Sequence, residues 1–201
     1  AHRRGMVVPD RVKREPGSDP AAGAYVAYPK KGLQDWIGSI DINSLYPSVI
    51  RALNMAPETI VGQLRPTITE ETIEQRMTVE KKSFAGAWEG EFGSFEYQAV
   101  MRKDRSQSIT IDWENGETNI LSAAEVYELI YNNNQPWILS ANGTIFTHEF
   151  AGVIPGLLER WYAERKELQA KKKKAIDANN HTETAFWDKR QLVKKINLNS
   201  L

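Results

Sequence analysis

Asp41 heads the run Asp41-Ile42-Asn43-Ser44-Leu45-Tyr46-Pro47-Ser48, which offers more chemistry than any other stretch of the chain. A carboxylate near the end of a strand, followed by a tight turn into a helix, sits beside successive backbone N–H groups and the positive end of a helix dipole. An anion can then lie next to the carboxylate, an arrangement that suits a bound Mg²⁺ ion. An isolated Asp near a strand end most often only makes a turn or a cap, so the residue types alone leave both readings open. Lys195 and Asn199, four residues apart near the C-terminus, share one helix face and could reach the same anion. Taken alone, such a pair is most often solvated.

The elements that would hold these groups can be read from pattern. Apolar and other residues alternate from Trp36 to Ile42, with Ile40 and Ile42 on one face and Asp41 on the other, which predicts a strand. Tyr46-Pro47 ends it, and Ser48 to Leu53 then reads as a short helix. Farther along, Ser108–Trp113 runs through Asn115-Gly116 into Thr118–Ile120, and Trp137–Ser140 meets Asn142-Gly143 before Thr144–Phe146; both are hairpin signals. Between them Ser122 and Glu125 form a capping box ahead of the helical spacing of Ala123, Val126, Leu129 and Ile130. Residues 63–107 show no clear period, and Phe84 to Phe95 is expected to be irregular strand. From Pro155 onward Ile154, Leu157, Leu158, Trp161 and Leu168 make an apolar stripe with the basic residues largely off it. A break at Asp177–Asn180 separates this helix from a second, about Thr184 to Asn197, and the two should pair as an antiparallel helical hairpin. Residues 1 to about 24, rich in Pro, Gly and Ala, read as an extended lead-in.

Charge points to the same end of the chain. The 201 residues carry 26 Lys/Arg and 26 Asp/Glu, but residues 151–201 hold 11 Lys/Arg against 6 Asp/Glu, so the helical hairpin is basic and the rest acidic. A basic hairpin is either a solvated surface or a phosphate-binding one. With 41% hydrophobic and 26% charged residues the composition is that of an ordinary globular protein. No apolar run approaches the roughly 18 to 20 residues of a spanning helix, so no membrane partner is expected. The absence of cysteine excludes disulfides and thiolate metal sites and fits a cytoplasmic setting. The opening Ala-His-Arg-Arg lacks an initiator Met and a signal peptide, and the chain is expected to be a piece of something longer.

The run Asp-x-x-Ser-Leu-Tyr-Pro-Ser resembles the first signature motif of family B DNA polymerases, and Val49-Ile50-Arg51 with Pro57-Glu58-Thr59-Ile60 resembles its T4-like phage branch. The resemblance implies that Asp41 binds both catalytic metal ions and that the Ile42 carbonyl also contacts metal. It implies that Ser44, Leu45 and Tyr46 hold the triphosphate of the incoming nucleotide, with the Tyr46 ring packed under the sugar so that a 2′-hydroxyl is excluded. Lys195 to Leu201 resembles the start of the Lys-x-x-x-Asn-Ser-x-Tyr-Gly motif, which assigns Lys195 and Asn199 to the triphosphate. Lys195 would meet the phosphates as a point charge and could protonate the leaving pyrophosphate. Gly152-Val153-Ile154-Pro155 through Glu164-Arg165-Lys166 resembles the first fingers helix, giving Arg165 a triphosphate contact. Gln169 stands where the family often has Lys, and Lys171 is expected to compensate if the helix register allows. Ala21-Ala22-Gly23-Ala24 occupies the place of a template-contacting motif whose Tyr is missing, so no residue is assigned from it. No match to the later Asp-Thr-Asp motif, to an exonuclease or to a thumb is present.

The implied fold is α+β: a partial palm of mostly antiparallel sheet with helices, plus the fingers hairpin. Its divisions are an extended lead-in over 1–30, a palm portion with a hairpin-rich insert over 31–150, and fingers over 151–201. The implied function is part of a template-directed DNA polymerase that adds deoxynucleotides to a primer 3′-hydroxyl with two Mg²⁺ ions, inactive as an isolated fragment. Its partners would be primer-template DNA, deoxynucleoside triphosphates, a sliding clamp and the remaining polymerase segments, in cis or in trans as in a split enzyme. Its setting would be the cytoplasm of a phage-infected or prophage-carrying bacterium. Two alternatives remain: a non-catalytic DNA-binding module that uses the basic hairpin as a phosphate clamp, or an interaction protein whose hairpin docks on another subunit.

Overall fold

The computed structural model describes residues 28–200, and the chain divides into two compact units between Ile42 and Asn43. The lead-in expected over residues 1 to about 24, the Ala21–Ala24 segment and Leu201 lie outside the described residues.

In the first unit, residues 28–42 form neither helix nor strand. The strand expected over Trp36–Ile42 is therefore not formed, and the reason is physical. Trp36 sits at φ 59°, outside the extended region, and no described residue pairs with the N–H and C=O groups that a strand must satisfy. Ile40 and Ile42 are left 96% and 59% exposed, so alternation alone did not bury a face.

The second unit opens with helix α1, Leu45–Ala52, followed by a 3₁₀ turn, Pro57–Thr59, and strand β1, Ile60–Leu64. The helix starts three residues earlier than its expected beginning at Ser48. Pro47 is tolerated there because the N–H it lacks has no partner in a first turn. Helices α2 (Thr67–Thr78), α3 (Phe84–Ala87) and α4 (Phe95–Met101) come next. The irregular strand expected over Phe84–Phe95 is thus a short helix and a loop, because Ser83 and Ser94 each cap a helix through their hydroxyls, to Gly86 N and Tyr97 N.

Both hairpins form where their turn residues put them: β2 (Ser108–Trp113) with β3 (Thr118–Ser122), and β4 (Trp137–Leu139) with β5 (Thr144–Thr147). Helix α5 (Ala123–Tyr127) carries the reciprocal Ser122/Glu125 capping box and runs into a π-helical turn, Glu128–Asn132. The five strands make one antiparallel sheet in the order β3-β2-β1-β5-β4. β1 is its centre, joining the two hairpins through Leu64 opposite Ile111 and Gly62 opposite both Trp113 and Ile145. Gly62 is required there, since a Cβ would stand 2.8 Å from the Trp113 ring. The core packs Leu64, Ile109, Ile111 and Ile145 of the sheet against Val100, Val126 and Ile130 of the helices. This is the α+β arrangement expected. The chain then leaves the sheet into two long helices, α6 (Val153–Asp177) and α7 (His181–Asn199).

Candidate functional site

The Asp41–Ser48 run straddles the boundary between the two units. Asp41 and Ile42 close the first, both exposed and in irregular backbone. The second begins at Asn43, and Ser44 takes the left-handed conformation, φ 53° and ψ 59°, that swings the chain into α1. Ser48 stabilises this turn by donating its hydroxyl to the Asn43 carbonyl at 3.0 Å. In the first turn of α1 the N–H groups of Leu45 and Tyr46 have no carbonyl partner within the helix, and the Ser44 side chain makes no cap bond to them. The Tyr46 side chain is 67% exposed and Leu45 is 48% exposed, so this N-terminal turn presents a ring, an apolar side chain and two donors outward.

A socket that sequence reasoning missed fixes α6 to α1. Asn54, φ 54°, ends α1 in a Schellman motif, with Asn54 N donating to Arg51 O at 3.3 Å and Met55 N to Ile50 O at 2.9 Å. Its buried amide donates to Thr147 O at 2.7 Å and Phe150 O at 2.8 Å and accepts from Gly152 N at 2.9 Å. Glu58 accepts from Val153 N at 2.6 Å, so a carboxylate also caps the positive end of α6. Gly152 allows the approach: a Cβ there would lie 2.8 Å from Ala56 Cβ. The only sequence signal for this socket was an Asn directly after a predicted helix.

From that base α6 and α7 run antiparallel as a hairpin, turning at Ala178–Asn180, where Asn180 caps α7 by accepting from Glu183 N. The seam departs from the expected apolar stripe. Ile154 is exposed, while Arg165 and Lys172, expected off the stripe, are half-buried within the seam. Arg165 Nε donates to Gln191 Oε1 at 3.4 Å, and Lys172 donates to Asp188 at 2.6 Å. Lys194 pairs with Glu164. These cross-helix pairs set the register between α6 and α7.

Their carboxyls carry a pH dependence. The hydrogen bond from Lys194, aided by the charges of Lys194 and Arg160, holds Glu164 below the usual carboxylate range. Hydrogen bonds from Lys172 and then Gln191, with the Lys172 charge, lower Asp188 in the same way. Carboxyls depressed in the folded state contribute stability above their unfolded pKa, and that contribution is lost as pH falls through the folded value. The hairpin's urea midpoint is therefore expected to hold from neutral pH to about pH 5 and to decline below it, modestly because the pairs are partly exposed. Asp188→Asn should flatten the decline, and an identical acid profile for the variant would rule out this linkage.

The structure brings several of the singled-out residues to one place. Asn43, Tyr162, Arg165, Lys166 and Gln169 line a small polar cavity of about 20 Å³ between the turn that leads into α1 and the side of α6. Arg51 of α1 stacks over the Tyr162 ring at 4.3 Å and pairs with Glu159 at 2.5 Å, tying α1 to this part of α6. Lys195 and Asn199 are both exposed; they lie one and two turns beyond Gln191, the partner of Arg165, on the same face of α7. Lys171 does not line the cavity. Its ammonium sits 5.0 Å from the centre of the Trp187 ring on α7, so the expected compensation for Gln169 by Lys171 is not supported by the helix register. Among the described residues no group of three or more His, Cys, Asp or Glu converges on a possible metal position.

Comparison with known proteins adds to this geometry. Residues 1–201 match the family described as DNA polymerase family B. Over 43 residues the chain is 51% identical to a DNA-directed DNA polymerase of Enterobacteria phage T4, covering 21% of this chain and 5% of that protein. It is 39% identical over 61 residues to DNA polymerase 2 of Aeropyrum pernix, 30% of this chain and 7% of that one. It is 44% identical over 46 residues to a DNA-directed DNA polymerase of Escherichia phage RB69, 23% of this chain and 5% of that one. These matches span only a small fraction of each relative's length. No solved structure matches the chain.

Proposed function

We propose, from the premise that this chain belongs to DNA polymerase family B, that it carries the nucleotide-binding portion of a template-directed DNA polymerase, with residues 31–150 as part of the palm and residues 151–201 as the fingers. The observation that carries this reading is the shared cavity that sets Asn43, at the head of the α1 turn, against Arg165 of α6. In this reading the N–H groups of Leu45 and Tyr46, Arg165, Lys195 and Asn199 bind the triphosphate of an incoming deoxynucleotide. The Tyr46 ring packs under its sugar.

The donors of the Asp41–Ile42 pair, one carboxylate and one backbone carbonyl, suit a hard cation that prefers oxygen, and Mg²⁺ is the ion proposed. Asp41 and the Ile42 carbonyl would hold it together with a second carboxylate from elsewhere in the enzyme, in cis or in trans. Two such ions, when bound, would supply activation of the primer 3′-hydroxyl and charge neutralisation on the phosphates. Lys195, an exposed cation near the end of α7, is the group proposed to give a proton to the departing pyrophosphate. The partners in this account are primer-template DNA, deoxynucleoside triphosphates and a sliding clamp. The proposed setting is the cytoplasm of a phage-infected or prophage-carrying cell, on the resemblance to phage polymerases.

Sugar discrimination tests the placement of Tyr46. Tyr46→Ala in the full-length polypeptide is expected to raise the ratio of ribonucleotide to deoxynucleotide incorporation by about a hundredfold, because a steric gate rejects through contact and truncation removes it. An unchanged ratio would take the ring away from the sugar.

A further inference from the structure

The α6–α7 hairpin carries many cations, but most are committed elsewhere or point away from the cavity. Arg160 and Lys194 pair with Glu164, Lys172 pairs with Asp188, and Lys171 covers Trp187. Two adjacent side chains differ from these, because both line the cavity beside Asn43 and neither has a carboxylate partner among the described residues. Arg165 reaches the α7 side and holds only the neutral amide of Gln191. Lys166 lies on the α1 side, its ammonium 5.4 Å from the centre of the Tyr162 ring, which Arg51 of α1 also covers. The remaining α6 residue of the cavity below this pair, Gln169, is uncharged.

We propose that Lys166 is a further cation of the triphosphate subsite, binding the phosphate tail beside Arg165 and in addition to Lys195, with Tyr162 as the positioning residue that keeps its ammonium at the cavity. This inference rests on the proposed polymerase function. A triphosphate spreads its charge over oxygens on three phosphorus atoms, and one guanidinium forks onto a single pair of them. A flexible ammonium serves as the complementary point charge for another phosphate. The Tyr162 ring attracts the ammonium itself, 5.4 Å from the ring centre, without taking the place of a hydrogen-bond acceptor, so its N–H donors stay available to phosphate oxygens.

The test uses the full-length polypeptide that carries this chain, with two readouts: KM for a deoxynucleoside triphosphate, and competitive inhibition by inorganic tripolyphosphate, which has neither sugar nor base. Lys166→Ala is expected to raise both the KM and the inhibition constant about tenfold, with kcat changed less than about twofold, as for loss of one charged hydrogen bond. Lys166→Arg should retain most of the affinity, and Lys171→Ala should match the parent enzyme. Lys166 is exposed, so these variants are expected to fold as the parent does. If Arg165→Ala weakens tripolyphosphate binding and Lys166→Ala does not, the assignment of Lys166 is overturned while the polymerase reading stands. If neither variant moves the constant, the placement of both Arg165 and Lys166 on the triphosphate is overturned; an enzyme that extends no primer at all would instead overturn the polymerase reading.

Discussion

Replacing Asp41 with alanine is expected to lower single-nucleotide incorporation by at least about a thousandfold while changing the affinity for primer-template DNA less than about threefold. The asymmetry follows from where the residue stands in the proposed site. Asp41 is exposed and has no resolved hydrogen bond or ion pair within the described residues, so its removal costs no packing. Its proposed work is confined to holding the cations that neutralise charge as the phosphoryl group transfers, and that interaction is greatest in the transition state. In the proposed polymerase, DNA affinity would instead come from many distributed phosphate contacts, to which a carboxylate such as Asp41 does not contribute. Asp41→Asn separates charge from shape: it keeps the volume and one ligand oxygen, and should lose nearly as much activity as Asp41→Ala. A variant that incorporates nucleotides at the parent rate would remove Asp41 from the metal site.

The second large effect is structural. Asn54→Ala is expected to destabilise the second unit by about 3 kcal/mol, because it strands two carbonyls and one N–H in a buried socket and replaces Asn, which tolerates the left-handed region, with Ala, which does so less well. The lost partners are Thr147 O, Phe150 O and Gly152 N, all on the segment that enters α6. Asn54→Gly keeps the backbone conformation and loses the same hydrogen bonds, so it should recover about 1 kcal/mol of that loss. Urea denaturation of the three proteins gives both differences. Equal stability of Asn54→Ala and the parent would mean that the amide does not anchor α6. In the proposed polymerase the anchor also matters to function, since α6 carries Arg165, and a loosened base moves that guanidinium away from the turn at Ser44.

What was legible in the sequence is what local chemistry decides. Each hairpin turn ends on a glycine in the left-handed region, Gly116 at φ 86° and Gly143 at φ 89°, a conformation that residues with a Cβ seldom adopt. Ser122 and Glu125 satisfy each other within four residues. The antiparallel helices were visible in their period and in the polar break between them. The missed elements depend on distant partners. Strand β1 is short and interrupted by Gly62 and Gln63, and it exists because Trp113, Ile111 and Ile145 flank it. Helix α2 has little amphipathic pattern; its N-terminus is held by buried Glu96, which accepts from Ile68 N at 2.7 Å and Thr69 N at 3.1 Å. The strand expected at Trp36–Ile42 failed for the complementary reason, since a correct alternation without a paired edge does not make a strand.

The candidate site divides along the same line. Its residue types were legible from the Asp41–Ser48 run and the spacing of Lys195 and Asn199. The cavity that places Lys166, and not Lys171, beside Arg165 depends on helix register, and the socket of Asn54 and Glu58 joins residues 93 to 98 positions apart. Neither could be read from neighbouring residues.

Primer extension tests the central claim most directly. The full-length polypeptide carrying this chain, given Mg²⁺, a primer annealed to a defined template and one deoxynucleoside triphosphate at a time, is predicted to add only the nucleotide complementary to the next template base. It is predicted to add none without the divalent ion. A folded, DNA-bound polypeptide that extends no primer under these conditions, or that adds nucleotides without regard to the template, would contradict the account.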